Sequence, residues 1–339
     1  MFDDWDELRE ILEELQGSQA VPVGYLYRLS DLTGEQLAGF CATWDRLPLL
    51  QRRRLARSLV ELAEVSFQVT FNAIFRYALD DPDAEIRALA IEGLWEHDSP
   101  NLIGPLLAKL RSDPSPEVRA AAATSLGRFV LAGELELLEA PIQARVTSEL
   151  LTVAHLAGES IQVRRRAIES VSYTSTADIS DILETAYFDE DEQMRLSAIV
   201  GMGRSCDHRW QGIIIQELGN PSAAMRYEAA WACGEMSLEA AVPFLAQLID
   251  DPDRQVCDAS IWALGQIGGH EARAVLLHAY ETADEDTQEV VEEALAEQAL
   301  LEGSLDFTLY DLETMLAEDI DDAFLDLWSA DMDDEDDSW

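Results

Sequence analysis

One local pattern returns along this chain at nearly fixed spacing, and it restricts the fold more than any other feature. An apolar residue is followed by arginine and, three positions later, by a small residue. The copies are Ile86-Arg87 with Ala90, Val118-Arg119 with Ala122, Val163-Arg164 with Ala167, Met194-Arg195 with Ala198, and Met225-Arg226 with Ala229. Val256-Cys257 with Ser260 and Val290-Val291 with Ala294 keep the register without the arginine. Seven residues after the arginine position stands Leu94, Leu126, Val171, Met202, Cys233 or Leu264, and glycine follows at Gly127, Gly203, Gly234 and Gly265. The steps from Arg164 to Arg195, to Arg226 and to Cys257 are 31 residues each. Such a period marks units that stack on one another and share a continuous core.

Each period holds a second amphipathic run, for example 102–110, 179–187 and Val242–Leu248, with apolar residues recurring at three and four. Asp-Pro pairs such as Asp81-Pro82, Asp113-Pro114 and Asp251-Pro252 suit a tight turn followed by a helix start. The unit is a helix–turn–helix of 31 residues. The fold class is all-α, an α-solenoid of about seven helical-hairpin repeats. The recurring alanine lets neighbouring helices approach closely. A weaker copy begins at Arg53, with Ala56 and Val60 in register.

Two stretches depart from the period. The step from Arg119 to Arg164 is 45 residues, 45 − 31 = 14 longer than the others, and Pro141 is expected to break a longer helix there. Ahead of the repeats, helices are expected near 3–15 and 35–44, the second opening on Thr33-Gly34-Glu35-Gln36, a capping-box spacing. Residues 1–50 read as a divergent N-terminal helical cap and 51–301 as the solenoid. Residues 302–339 read as an acidic amphipathic helix followed by a disordered tail.

The repeats resemble the HEAT family, especially the short HEAT-like repeats also seen in phycobilin lyases. The resemblance spans roughly residues 50–300. It implies a ladder of turn aspartates and helix arginines along the stack. Asp81 with Arg87, Asp113 with Arg119 and Asp189 with Arg195 fit it, Asn220 with Arg226 nearly does, and Asp251 has lost its arginine to Cys257. It further implies that the arginine-bearing helices line an inner groove. The architecture hosts scaffolds, adaptors, lyases and oxygenases, so function must come from a site.

Sixty-seven acidic residues against 23 basic ones give a formal charge of −44. That field repels phosphate, so no direct nucleic-acid binding and no membrane binding are expected, and a basic protein partner is. The acidic start, Met1-Phe2-Asp3-Asp4, is unlike a signal peptide, and the four cysteines show no C-x-x-C spacing, so a cytoplasmic location is expected. No catalytic, zinc or phosphate-loop motif is present, and the expectation is a non-enzyme with no cofactor and no metal. HEAT-like deoxyhypusine hydroxylases bind their metal pair through repeated His-Glu dipeptides, of which this chain has one, His270-Glu271, expected in a turn just past Gly268-Gly269.

Helical geometry places the residues two, five and nine after the arginine away from the packed face. The five-after position reads Glu92, Thr124, Glu169, Val200, Trp231, Trp262 and Ala296. Trp231 and Trp262 therefore read as an exposed pair on adjacent repeats, with Tyr227 and Glu228 beside the first, the profile of a binding hot spot. Arg166 adds a basic contact in the same groove. Beyond Arg273 there is no Lys or Arg, and residues 302–339 hold 15 acidic side chains. In that tail Phe324 and Trp328 lie on an apolar helical stripe suited to a partner's groove. The leading expectation is a scaffold or adaptor for a basic protein. The alternatives are a phycobilin-lyase-like or other cofactor-enzyme accessory subunit, and a polyanion mimic that occupies a nucleic-acid-binding protein.

Overall fold

The computed structural model describes Ile11 and residues 23–301. The helix expected near 3–15, apart from Ile11, and the tail carrying Phe324 and Trp328 lie outside the described residues. Among those described, the regular structure is α-helix with short 3-10 turns and no strand. The chain divides into two compact units, Met1–Ser197 and Ala198–Trp339.

The first unit contains α1 Val23–Tyr27, α2 Gly34–Trp44, α3 Leu49–Val65, α4 Asn72–Ala78, α5 Ala84–Glu92 and α6 Ile103–Ser112. It continues with α7 Pro116–Glu134, α8 Ala140–His155, α9 Ile161–Val171 and α10 Ala177–Tyr187, and α11 Glu192–Arg204 begins within it. The second unit holds α12 Gln211–Glu217, α13 Ala223–Glu235, α14 Val242–Leu248, α15 Arg254–Ile267, α16 Gly269–Thr282 and α17 Glu285–Leu301. In the first unit α3, α5, α7 and α9 form one row, each packed on the next, and α4, α6, α8 and α10 cover it. In the second, α13, α15 and α17 stack in the same way beneath α12, α14 and α16. This is an all-α solenoid of helical hairpins.

The recurring small residue does what its size allows. Ala122, Ala167, Ala198 and Ala229 have no exposed surface, and Ala90 is equally enclosed. The glycine that follows the apolar position is the second close-approach point. A Cβ on Gly127 would lie 2.9 Å from the Ser170 hydroxyl, one on Gly203 2.8 Å from the Ala232 methyl, and one on Gly265 3.1 Å from the Ala294 methyl. Each glycine therefore faces the corresponding helix of the next repeat.

The turn aspartates and helix arginines connect successive repeats. Asp113 Oδ1 accepts the Ser115 N–H at 3.0 Å, closing the turn, while the Arg87 guanidinium donates to both Asp113 oxygens at 2.8 and 2.7 Å. Arg226 holds Asp251 likewise, at 2.8 Å to each oxygen. Asp251 thus keeps an arginine, supplied by the preceding repeat, although its own repeat has Cys257. Each arginine also donates to its own turn, Arg87 to the Asp81 carbonyl and Arg226 to the Asn220 carbonyl, both at 2.8 Å. In the lengthened repeat Glu159 takes the aspartate's place, accepting from Arg119 at 2.9 and 2.6 Å. At the start of the row the arginine register slips by one. Arg52, not Arg53, reaches Asp81 (3.1 Å), and Arg53 instead pairs with the helix-capping Asp83.

Two further expectations are corrected. The Thr33 side chain makes no capping hydrogen bond, and Gln36 N–H donates to the Thr33 carbonyl instead. Pro141 starts α8, as its second residue, rather than breaking a helix. The 14 extra residues lengthen α7 and α8, and α7 closes on a left-handed residue, Glu136 (φ 58°). There Leu137 N–H donates to the Ala132 carbonyl and Glu136 N–H to the Gly133 carbonyl, the paired closure that glycine usually serves. Glu136→Gly is expected to raise stability by about 1 kcal/mol, since glycine adopts this conformation without a Cβ penalty. A shift in the urea midpoint with unchanged slope would register it.

Candidate protein-docking cleft

The cleft belongs to the second unit and is built by α13, with α11 and α15 beside it. α13 is a helix because Ala223, Ala229, Ala230 and Ala232 combine high propensity with small volume, so its neighbours close in on both sides. Trp231 and Trp262 occupy the same repeat position on α13 and α15, one repeat apart. Their ring centroids lie 3.6 Å apart with a 36° angle between planes. The Tyr227 ring meets Trp231 edge-on at 6.3 Å. Trp262 in turn lies across Gly234, where a Cβ would come within 2.5 Å of its ring.

The two tryptophans are half-buried, which corrects the expectation of an exposed pair. Stacking covers one side of each ring, and the missing side chain of Gly234 makes room for the second. What remains open is a cleft of about 230 Å³ beside Trp231, lined by Val200, Arg204, Tyr227, Glu228 and Glu235. The surrounding protein desolvates the Glu235 carboxyl and raises its pKa, and Arg204 offsets part of that rise. The cleft thus combines an aromatic wall with two carboxylates and one guanidinium.

Tyr227, Glu228 and Trp231 are brought together here as the repeat register implied, with Trp262 behind them. Arg166 belongs to the first unit, where it donates to the buried Glu169 carboxylate at 2.6 Å. Glu169 also accepts from the Ser197 hydroxyl at 2.6 Å. Glu169 was expected to face outward and is buried, because Arg166 and Ser197 hydrogen-bond its carboxylate and Arg165 lies 4.0 Å from it as a further countercharge. Other arginines are likewise engaged internally. Arg52 binds the Leu47 carbonyl, Arg53 binds Asp83 and Arg164 binds the Ala154 carbonyl. Arg128, nine residues after Arg119 and so turned outward by the repeat register, donates to the Leu94, Trp95 and His97 carbonyls at 2.7, 2.6 and 3.3 Å. Burial lowers its pKa. It pins the end of α5 and does not face a partner.

Among the described residues no group of three or more His, Cys, Asp or Glu is arranged to hold a metal ion. Cys233 and Cys257 are buried helix residues, as their positions suggested, and burial pushes the Cys233 thiol up to about 12. No described helix is long and apolar enough to cross a membrane.

Comparison with known families agrees with this architecture. The profile for HEAT repeats matches residues 72–154 and 213–296. The chain is a HEAT-repeat protein. Solved structures similar to this HEAT-repeat chain include yeast importin-β (Kap95p), 12% identical with a TM-score of 0.52, covering 87% of this chain. The chain spans 46% of that protein's length. The CpcE–CpcF complex of phycocyanin lyase from Nostoc is 15% identical with a TM-score of 0.49, covering 73% of this chain and 94% of that one. Human deoxyhypusine hydroxylase is 17% identical with a TM-score of 0.33, covering 87% and 96%. The importin-β likeness speaks for the fold alone. No curated protein sequence matches the chain.

Proposed function

We propose that this HEAT-repeat protein is a non-catalytic scaffold or adaptor whose second unit holds a basic segment of a partner protein. The observation that carries the reading is the cleft in which Tyr227 and Trp231 adjoin Glu228 and Glu235. An aromatic face beside carboxylates suits a lysine or arginine side chain, through cation–π attraction and a charge-assisted hydrogen bond. The chain's formal charge of −44 favours encounter with a cationic partner over long range.

The stack dictates which residues test the proposal. Truncating Trp231 or Trp262 would disturb packing on Gly234 as well as any contact, so lost binding would be ambiguous. Tyr227 and Glu228 line the cleft and are only partly buried. Affinity purification from the native cell at low and moderate salt, with mass spectrometry, would supply the partner. Tyr227→Ala with Glu228→Gln is then expected to weaken its binding by about tenfold or more, with helical circular dichroism unchanged. A basic partner bound equally well by the double variant would remove the cleft from the account.

A further inference from the structure

The lengthened repeat presents a second surface, independent of the cleft. In three repeats the helix carrying the glycine of the repeat register ends almost at once. α11 stops one residue past Gly203 (204 − 203 = 1), α13 one past Gly234 (235 − 234 = 1) and α15 two past Gly265 (267 − 265 = 2). α7 runs seven residues beyond Gly127 (134 − 127 = 7), two further turns. This extension is firmly held. Gln143 of α8 lies across Gly133, where a Cβ would fall 2.3 Å from its side chain, and its Nε2 donates to Glu134 at 2.5 Å and to the Val130 carbonyl at 3.4 Å.

The held extension nevertheless ends in water with apolar side chains. Leu131 is 37% exposed, Leu135 59% and Leu137 78%. A contrast within the chain shows that the motif does not require this. After α13 the same paired closure occurs at Ser237 (φ 48°), with Leu238 N–H donating to the Cys233 carbonyl, and there the equivalent leucine is 3% exposed. Burying that leucine is the usual accompaniment of the motif. At α7 it is left outside, one step from Leu131 and Leu135, which share a helix face. Glu134, Glu136 and Glu139 alternate with or follow the leucines along the chain, and all are exposed.

We infer that the end of α7 is a docking knob for a basic amphipathic helix of a partner protein. Charge selects that occupant. The chain's own segment 302–339 carries 15 acidic side chains and no basic one, and a second copy brings another −44, so both are repelled by the three glutamates. A helix with a leucine stripe flanked by lysine or arginine satisfies both the leucines and the glutamates, in the helix-to-apolar-surface mode. The insertion thereby makes an edge that binds, as insertions in repeat proteins commonly do.

The test uses the full chain and two synthetic peptides of identical composition. One has leucines at helical spacing between lysines, the other a scrambled order, and binding is followed by fluorescence anisotropy at physiological salt. The patterned peptide is expected to bind about tenfold more tightly than the scrambled one. Leu135→Asp with Leu137→Asp should erase that difference without altering circular dichroism, since both side chains are exposed. Tyr227→Ala with Glu228→Gln should leave it intact. Equal binding of the two peptides by the wild type would overturn the inference, whatever the variants do. So would a preference that survives the leucine changes, or one abolished by the Tyr227 and Glu228 changes. A dimer in sedimentation that the leucine changes dissolve would assign the knob to a second copy instead.

Discussion

Asp113→Ala is expected to destabilise the first unit by about 2–4 kcal/mol, because it strands a guanidinium that the fold has already taken out of water. The Arg87 and Asp113 side chains are 9% and 3% exposed. With Asp113 gone, Arg87 keeps only the carbonyls of Asp81 and Pro82, at 2.8 and 3.0 Å, and Ser115 N–H loses its acceptor. The range is set below that of a deeply buried pair because the link lies at the rim of the stack, where water can relieve part of the cost. Lys109→Ala is the comparison. Lys109 pairs with Asp80, whose side chain is 87% exposed, and its loss should stay within about 0.5 kcal/mol. Urea unfolding followed by circular dichroism separates the two, and equal midpoints would defeat the ladder as a source of stability. Asp113→Asn should fall between them, since asparagine keeps the turn bond but not the ion pair, as Asn220 does with Ser222 at 2.8 Å.

The same ladder gives stability a pH dependence of known sign. Burial pushes the Asp113 carboxyl upward, but the Arg87 and Ser115 hydrogen bonds outweigh it and hold the pKa below its ordinary value. Arg226 lowers Asp251, and Arg119 lowers Glu159. For carboxyls lowered by folding, the contribution is complete above the unfolded value of about 4 and is lost as pH falls through the folded values. Wild-type stability should therefore drop in acid below about pH 4, and Asp113→Asn should show a shallower drop there.

Most of this fold is legible in the repeat register. An arginine, an alanine three later and a glycine eight later recur because each marks a contact with the next repeat, and contacts between identical units must recur. Single departures were harder to read. Glu159 was missed as the aspartate's substitute because it stands five residues before its helix arginine, where Asp81 and Asp113 stand six before theirs. Helical register placed Glu169, Arg128 and Trp262 on an outward face without showing that partners from other segments cover them. Ser197 lies 28 residues from Glu169 and the Leu94 carbonyl 34 from Arg128, so no local window contains both groups. The cleft residues Tyr227, Glu228 and Trp231 were legible because they share one helix. The mutual cover of the tryptophans was not, although Gly234 next to Cys233 is the signal that a bulky neighbour crosses there.

Gly234→Val is expected to be strongly damaging to the second unit, at about 3 kcal/mol, the upper end for overpacking. A Cβ at this position would lie 2.5 Å from the Trp262 ring and 3.0 Å from the Ala263 backbone. Trp231 stacks against Trp262 at 3.6 Å and blocks its retreat on that side. Gly104→Ala makes the opposite case. Nothing lies within 4 Å of a Cβ there, so the change should stabilise α6 by roughly 0.5–1 kcal/mol through chain entropy alone. Thermal unfolding reports both signs, and near-ultraviolet circular dichroism reports whether the tryptophan pair survives. Trp262→Ala in the Gly234→Val background then identifies the cause. Partial recovery of the midpoint would place the strain in the ring, making the glycine the element that seats the stack and shapes the cleft wall. No recovery would place it in the Ala263 backbone, making Gly234 a spacer between α13 and α15 like Gly203 and Gly265 at their own helices.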